Sequence, residues 1–115
     1  MPSIKEIALA TEFHGGHVCV SRRPPNLNAH KTDVDVVRVT NTNPVGDGSS
    51  ITVTLDPDTL GNVFVNPPSG PVKLSPGEFL DLNVNPSIAT VQTEGFSTIP
   101  PNCQHHDAGD IIIQP

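Results

Sequence analysis

The sequence predicts an all-β fold, an antiparallel Greek-key β-sandwich of about seven to eight short strands. Three observations predict it: the apolar residues are mostly Val, Ile and Leu, short runs alternate between apolar and polar residues, and 13 prolines and 9 glycines interrupt those runs. β-Branched residues favour strands, whereas proline and glycine mark the turns between them. A chain of 115 residues is long enough for one core, so we expect a single domain over residues 1–115.

The first element is a predicted β-hairpin at the start of the chain. Two alternating runs, residues 4–13 and 18–22, flank a His-Gly-Gly-His sequence. Glycine readily adopts the positive φ angles that a two-residue primed turn requires, so the two glycines are the expected turn. This turn pairs His14 with His17.

The remainder of the chain reads as short strands separated by loops. Alternation and β-branched runs predict strands at residues 34–41, 51–55, 72–74, 79–84, 88–93, 96–99 and 110–114. A proline-rich connector at 23–32 joins the hairpin to strand 34–41, and a loop of turn formers at 43–50 joins that strand to 51–55. Segment 56–70 contains residue pairs that interrupt strands, so we expect it to leave the sheets as a long connection. Within it the sequence predicts a brief strand at 63–65 and a helical turn near residues 57–60.

Alternate residues of each strand must face the core of a sandwich together. The expected inward set, or its neighbours one step out of register, is Val37, Val39, Val53, Leu55, Leu80 and Leu82. The final strand is expected to contribute Ile112, which places Ile111 and Ile113 on the opposite face.

Charge and composition exclude several classes of partner. The chain has 12 acidic and 6 basic residues, a formal charge of −6 and neither Trp nor Tyr. An acidic chain without an aromatic stacking platform is not expected to bind nucleic acid or anionic membranes. No apolar run is long enough for a membrane span, so we expect no membrane insertion. The classes of binding partner that remain are a protein and a small ligand, and the sequence identifies neither.

The N-terminal segment has the charged pair Lys5-Glu6 where a signal peptide has an unbroken apolar centre. The sequence therefore predicts a cytoplasmic protein, or a periplasmic or secreted one from which a signal peptide has been removed. The two cysteines fit either location, because they are compatible with a disulfide, with free thiols and with metal ligands.

Three stretches resemble a known family. Residues 32–37 lead into a Val-Arg-Val-Thr-Asn strand, residues 74–78 form a Leu-Ser-Pro-Gly-Glu corner before an alternating strand, and Cys103-x-x-His106 precedes an Ile-rich last strand. On these residues the chain resembles the cupredoxin-like family over most of its length. The resemblance implies the Greek-key sandwich and a ligand loop before the last strand.

The resemblance also implies a copper site with missing ligands. Blue-copper members hold copper with two histidines, a cysteine and a weak axial ligand, usually methionine. Cys103 and His106 match the thiolate and the second imidazole, and Asp110 or Gly109 lies near the axial position. Ser49-Ser50 stands where the first histidine belongs, and the only methionine is at position 1. We therefore expect no blue-copper centre.

The residues themselves offer two groups of metal ligands, because thiolate and imidazole suit copper and zinc. The first group is the C-terminal loop, with Cys103, His105 and His106, joined by Asp107 or Asp110. The second is one face of the hairpin, where alternation places Glu12, His14, His17 and Cys19. Both groups also have simpler interpretations. The loop histidines are then solvated and bind only adventitious metal, and the hairpin turns its polar face to water while Phe13, Val18 and Val20 face the core.

A third arrangement joins the two regions through a Cys19–Cys103 disulfide. In the chain-entropy model, closing so long a loop stabilises the fold by about 4 to 5 kcal/mol. It would also consume the thiol that a copper site needs. The residues leave all three arrangements open.

The preferred interpretation is a non-enzymatic small β-sandwich, a binding or structural module of cupredoxin type that lacks a complete type 1 copper site. The alternative is a copper- or zinc-binding protein that uses either ligand group, and no other cofactor is implied. Cys103 and His106 have the chemistry of a nucleophile and a base. No oxyanion-hole motif accompanies them, so we do not expect an enzyme.

Overall fold

A computed structural model describes residues 3–46, 49–103 and 108–115, with the backbone alone at residues 108 and 109. The described chain is mostly β-structure with one short helix, which confirms the predicted all-β class. In chain order the elements are β1 (Ile4–His14), β2 (His17–Arg23), β3 (Asn26–His30), β4 (Val36–Asn41), β5 (Ile51–Leu55), α1 (Pro57–Val63), β6 (Phe64–Val65), β7 (Val72–Leu74), β8 (Phe79–Val84), β9 (Gln92–Ile99) and β10 (Ala108–Gln114).

The ten strands formed by the described residues make two five-stranded sheets. The strand order is β2-β1-β4-β8-β6 in the first sheet and β3-β10-β9-β5-β7 in the second. Most pairs between the described strands are antiparallel, but β1 pairs with β4 and β3 with β10 in parallel. The expected antiparallel arrangement therefore does not hold in these two pairs, and both sheets are mixed.

The parallel pairs follow from the path of the chain between the sheets. Pro24-Pro25 interrupts the extended chain after β2, and the next strand, β3, lies in the second sheet. Parallel neighbours need a crossover connection, and the passage through β3 provides one between β1 and β4. The sequence predicts a connector in this segment, but the structure contains a strand here, in which Leu27 and Ala29 alternate with polar residues and are buried.

One hydrophobic core joins the two sheets. The predicted residues Val37, Val39, Val53, Leu55 and Leu82 are buried in it, and Leu80 packs against it while partly exposed.

The expected facing of the last strand is wrong. Ile111 and Ile113 are both 0% exposed, whereas Ile112 is only partly buried. Ile111 lies opposite Glu94 and Ile113 opposite Gln92 in the antiparallel pair of β10 with β9. Three consecutive isoleucines contain no alternation, so the sequence of this strand does not determine which of them faces inward.

The N-terminal hairpin has the predicted register, with His14 opposite His17. The turn glycines have φ angles of 58° and 83°, as a primed turn requires. The expectation that Phe13 and Val18 face the core is wrong, because their side chains are 78% and 39% exposed. Val20 lies on the same face and is fully buried. The tip of the hairpin therefore extends beyond the core formed by the described residues.

The helical turn expected near residues 57–60 is present and continues to Val63 as α1. The Asp56 side chain accepts a hydrogen bond from the Asp58 N–H at 3.0 Å, and Pro57 occupies the start, where a missing N–H costs nothing. Leu60 and Val63 are buried. The described part of the chain contains no helix with the length and apolar character to cross a membrane.

Candidate functional site

The two cysteines form a disulfide, Cys19–Cys103, with 4.8 Å between their Cα atoms. Of the three arrangements that the sequence left open, the structure thus contains the one that joins the hairpin to the C-terminal loop. Cys19 is buried in β2, and Cys103 is partly buried in the connection from β9 to β10. Neither sulfur is a free thiol in this state.

The backbone beside the disulfide holds the two cysteines in register. The Val20 N–H donates to the carbonyl of Pro101 at 2.8 Å, and the Cys103 N–H donates to the carbonyl of Val20 at 3.0 Å. Val20 and Asn102 consequently form a parallel bridge at the outer edge of β2. The position of Cys103 next to Cys19 is therefore supported by backbone hydrogen bonds as well as by the covalent bond.

His14 is oriented by a neighbouring carboxylate. Its Nε2 lies 2.9 Å from Oε2 of Glu12, and the side chains of the pair are 62% and 39% exposed. The pKa of Glu12 lies below its ordinary value, chiefly because the carboxylate accepts the hydrogen bond of His14 and then because it accepts one from Ser21. A carboxylate only accepts, so this contact selects the tautomer with the proton on Nε2 and leaves the Nδ1 lone pair available.

The structure brings together part of each predicted ligand group. One ring nitrogen of His14 and the sulfurs of Cys19 and Cys103 all lie within 4.8 Å of one another. His17 lies opposite His14 in the hairpin and is exposed, but it is not a member of this cluster. His105 and His106 lie outside the described residues, as does Asp107.

The carbonyl of Ser49 belongs to a network of side-chain amides. The carbonyl of Ser49 accepts hydrogen bonds from Nδ2 of Asn41 and from Nδ2 of Asn43, both at 3.0 Å. Nδ2 of Asn41 also donates to the carbonyl of Leu74 at 2.9 Å, and its Oδ1 accepts the N–H of Asn43. Both asparagines are buried. This end of the first sheet is thus fixed by side-chain amides that link three segments of backbone.

Sequence reasoning missed these asparagines, although a signal was available. Asn41 continues the inward phase of Val37 and Val39, so alternation alone places a polar side chain in the core. A buried amide needs hydrogen-bond partners, and that requirement predicts a network.

Glu94 is a second buried polar group that the sequence reading missed. Its side chain is 0% exposed, and Oε1 accepts a hydrogen bond from the Thr59 hydroxyl of α1 at 2.9 Å. Oε2 has no hydrogen-bond partner among the described residues. Burial raises the pKa of Glu94, and the charge of Asp56 acts in the same direction. The sequence predicts strands at 88–93 and 96–99, and Glu94 falls in the gap between them. The alternation that places Glu94 on the same face as Phe96 was therefore not recognised.

A groove of about 390 Å³ lies beside α1, between the end of β5 and residues 67–70. Apolar side chains line it, among them Leu55, Leu60 and Pro67. The described residues that line this groove include no acid, base, histidine or cysteine. No family model matches the chain, and no curated protein matches it.

Proposed function

We propose that the protein is a small non-enzymatic module of cupredoxin type, with a binding or structural role and without a type 1 copper centre. The Cys19–Cys103 disulfide carries this proposal. A type 1 centre needs a cysteine thiolate as its short, strong ligand, and the sulfur of Cys103 is committed to another bond.

The position of the first histidine supports the same conclusion. Ser49 takes that place, and its carbonyl serves the amides of Asn41 and Asn43. A hydrogen-bonded amide network stabilises the end of the sheet but offers no imidazole to a metal. We infer that structural hydrogen bonds replace metal coordination at this end.

Two placements of the quoted motifs support a cupredoxin-type topology. The Ser-Pro-Gly-Glu corner immediately precedes β8, and its Glu78 side chain accepts the Ser75 N–H at 2.7 Å. Gly77 in this corner has a φ of 86°, a conformation that favours glycine. Cys103 lies between β9 and β10, which pair antiparallel. These two placements support the corner and the loop before the last strand that the resemblance implies.

A non-enzymatic role is supported by the surroundings of the groove and of the cysteines. The groove beside α1 has an apolar lining, and the thiol that would act as a nucleophile is oxidised. The disulfide also favours an oxidising compartment, which makes a periplasmic or secreted location the one we propose.

Visible spectroscopy tests the proposal directly. Cu(II) is added to untagged protein, both as the disulfide and after reduction, and spectra are recorded at each addition. We expect no intense thiolate-to-copper band in either form, because one histidine and the axial methionine are missing. An intense band that disappears in Cys103→Ser would contradict the proposal.

A further inference from the structure

The cluster of His14, Cys19 and Cys103 has a chemistry that the proposed function does not use. One imidazole nitrogen and two sulfurs lie within 4.8 Å of one another at one end of the first sheet. We propose that reduction of the Cys19–Cys103 disulfide converts this cluster into a three-ligand site for Cu(I), with both thiolates and the His14 imidazole as ligands. The site differs from both groups suggested by the sequence, because it takes ligands from each.

The conversion balances with a low-molecular-weight thiol as the reductant. The thiolate of one reductant molecule attacks a sulfur of the protein disulfide and forms a mixed disulfide with it. A second reductant molecule then attacks the mixed disulfide and releases the remaining cysteine as a thiol. Two equivalents of thiol become one small disulfide, and the protein gains two cysteine thiols. Binding of Cu(I) then displaces the two thiol protons, because the thiolate is the metal ligand.

The two thiols remain close together after reduction because the backbone holds them there. The hydrogen bonds of Val20 with Pro101 and Cys103 do not depend on the sulfur–sulfur bond. The Cα atoms of the cysteines are 4.8 Å apart. Two metal–sulfur bonds of about 2.3 Å separate the sulfurs by roughly 4 Å, which rotation of the two side chains can supply.

The hydrogen bond between His14 and Glu12 orients the imidazole ring to act as the third ligand. Its Nε2 is hydrogen-bonded to Glu12, which leaves Nδ1 for the metal. A carboxylate is one of the common partners of the far nitrogen in a metal-bound histidine, because it fixes the orientation of the ring and raises its basicity. Glu12 lies directly opposite Cys19 in the hairpin, so the register that places the cysteine also places this partner.

The donor set favours soft and borderline metal ions. Two thiolates and one imidazole are soft to borderline donors, which favour Cu(I) over hard cations. Cu(I) has a filled d shell and is satisfied by three ligands. The side chain of His14 is 62% exposed, so the ion reaches the site from solvent.

The experiment measures competition for Cu(I) under anaerobic conditions. Untagged protein is reduced with dithiothreitol, freed of the reductant and titrated against the coloured Cu(I) complex of bicinchoninate. We expect the reduced protein to remove one Cu(I) per chain and the disulfide form to remove none. Equal removal by the two forms would overturn the proposal.

The two hairpin histidines provide a matched pair of variants. His14 and His17 lie opposite each other across the turn and both are exposed, so neither substitution disturbs the core. His14→Ala should weaken Cu(I) binding about tenfold or more, and Glu12→Gln should weaken it about tenfold through the orientation of the ring. His17→Ala should bind as the wild type does. An equal loss in His14→Ala and His17→Ala would contradict the assignment of the imidazole.

Further variants separate this site from the C-terminal loop. Cys19→Ser and Cys103→Ser should each abolish the competition, whereas the double variant His105→Ala/His106→Ala should retain it. Loss in that double variant, with retention in His14→Ala, would overturn the proposal and assign copper to the loop. Because Cu(I) gives no visible thiolate band of the type 1 kind, this outcome and that of the Cu(II) experiment are independent.

Discussion

Cys103 is hydrogen-bonded through its backbone to Val20, the residue that follows the other cysteine in the chain. The Cys103 N–H donates to the Val20 carbonyl at 3.0 Å, and the Val20 N–H donates to the carbonyl of Pro101 at 2.8 Å. The Cys19–Cys103 disulfide therefore reinforces a contact that the backbone also makes. We expect its removal to act mainly on the unfolded chain and to leave the folded structure in place.

Removal of the disulfide should lower the free energy of unfolding by about 4 to 5 kcal/mol, the value of the chain-entropy model for so long a loop. The bond joins residues separated by 84 positions, so its loss frees most of the unfolded chain. Guanidinium denaturation with and without dithiothreitol measures the difference. The double variant Cys19→Ser/Cys103→Ser is the control, and its midpoint should not respond to the reductant. An unchanged wild-type midpoint under full reduction would contradict this expectation.

Local patterns in the sequence predicted the local structure. The glycine pair determined the register of the hairpin, and the Asp-Pro start of α1 indicated the helical turn. The pairing of Cys19 with Cys103 remained open, because it depends on how residues 101–103 lie beside β2. The parallel pairs were missed for the same reason, since a crossover between sheets leaves no short-range pattern.

The candidate site illustrates the same limit. Both cysteines and His14 were singled out from the sequence, but each was assigned to a group of neighbours along the chain. Their actual grouping comes from tertiary contacts between the hairpin and the C-terminal connection. Asn41 was missed for a different reason, because the inward set was drawn from apolar residues alone although Asn41, the last residue of the predicted strand 34–41, continued their phase.

Asn41→Ala should lower the free energy of unfolding by roughly 2 to 4 kcal/mol, because it leaves buried groups without partners. The carbonyl of Leu74 and the N–H of Asn43 each lose a hydrogen bond with the Asn41 side chain. Urea denaturation measures the loss. Asn83→Ala, in the exposed face of β8, is the matched control and should change stability by no more than about 0.5 kcal/mol. Similar small losses in both variants would show that the network contributes little.

Glu94→Gln should stabilise the protein at neutral and higher pH. Burial raises the pKa of Glu94 above its ordinary value, so the folded protein binds this proton more tightly than the unfolded chain. The stability that protonation provides is therefore complete below the ordinary pKa of a glutamate and is lost as the pH rises through the raised value. Glutamine keeps an acceptor for Thr59 and has no charge to bury. We expect its advantage over the wild type to shrink as the pH falls towards the ordinary value.

Glu78→Gln provides the control of opposite sign. The pKa of Glu78 lies below its ordinary value because the carboxylate accepts hydrogen bonds from Ser75, first from its N–H. Its contribution is present above the ordinary pKa and is lost as the pH falls through the lowered value. Unfolding curves across the pH range for both variants measure the two slopes. Parallel wild-type and Glu94→Gln profiles would show that the pKa of Glu94 is the same in the folded and the unfolded protein, and would contradict the raised value.

The last strand tests the core and the register of the second sheet together. Ile111 and Ile113 are fully buried, so truncation of either to alanine should lower the free energy of unfolding by about 2 to 5 kcal/mol. Ile112→Ala is the matched control in the same strand and should cost clearly less, because that side chain is only partly buried. Denaturant midpoints at a constant m-value compare the three variants. The largest loss at Ile112 would mean that β10 is displaced by one residue against β9, since a shift of one reverses every side chain. Small, equal losses at all three positions would instead mean that β10 contributes little to the core.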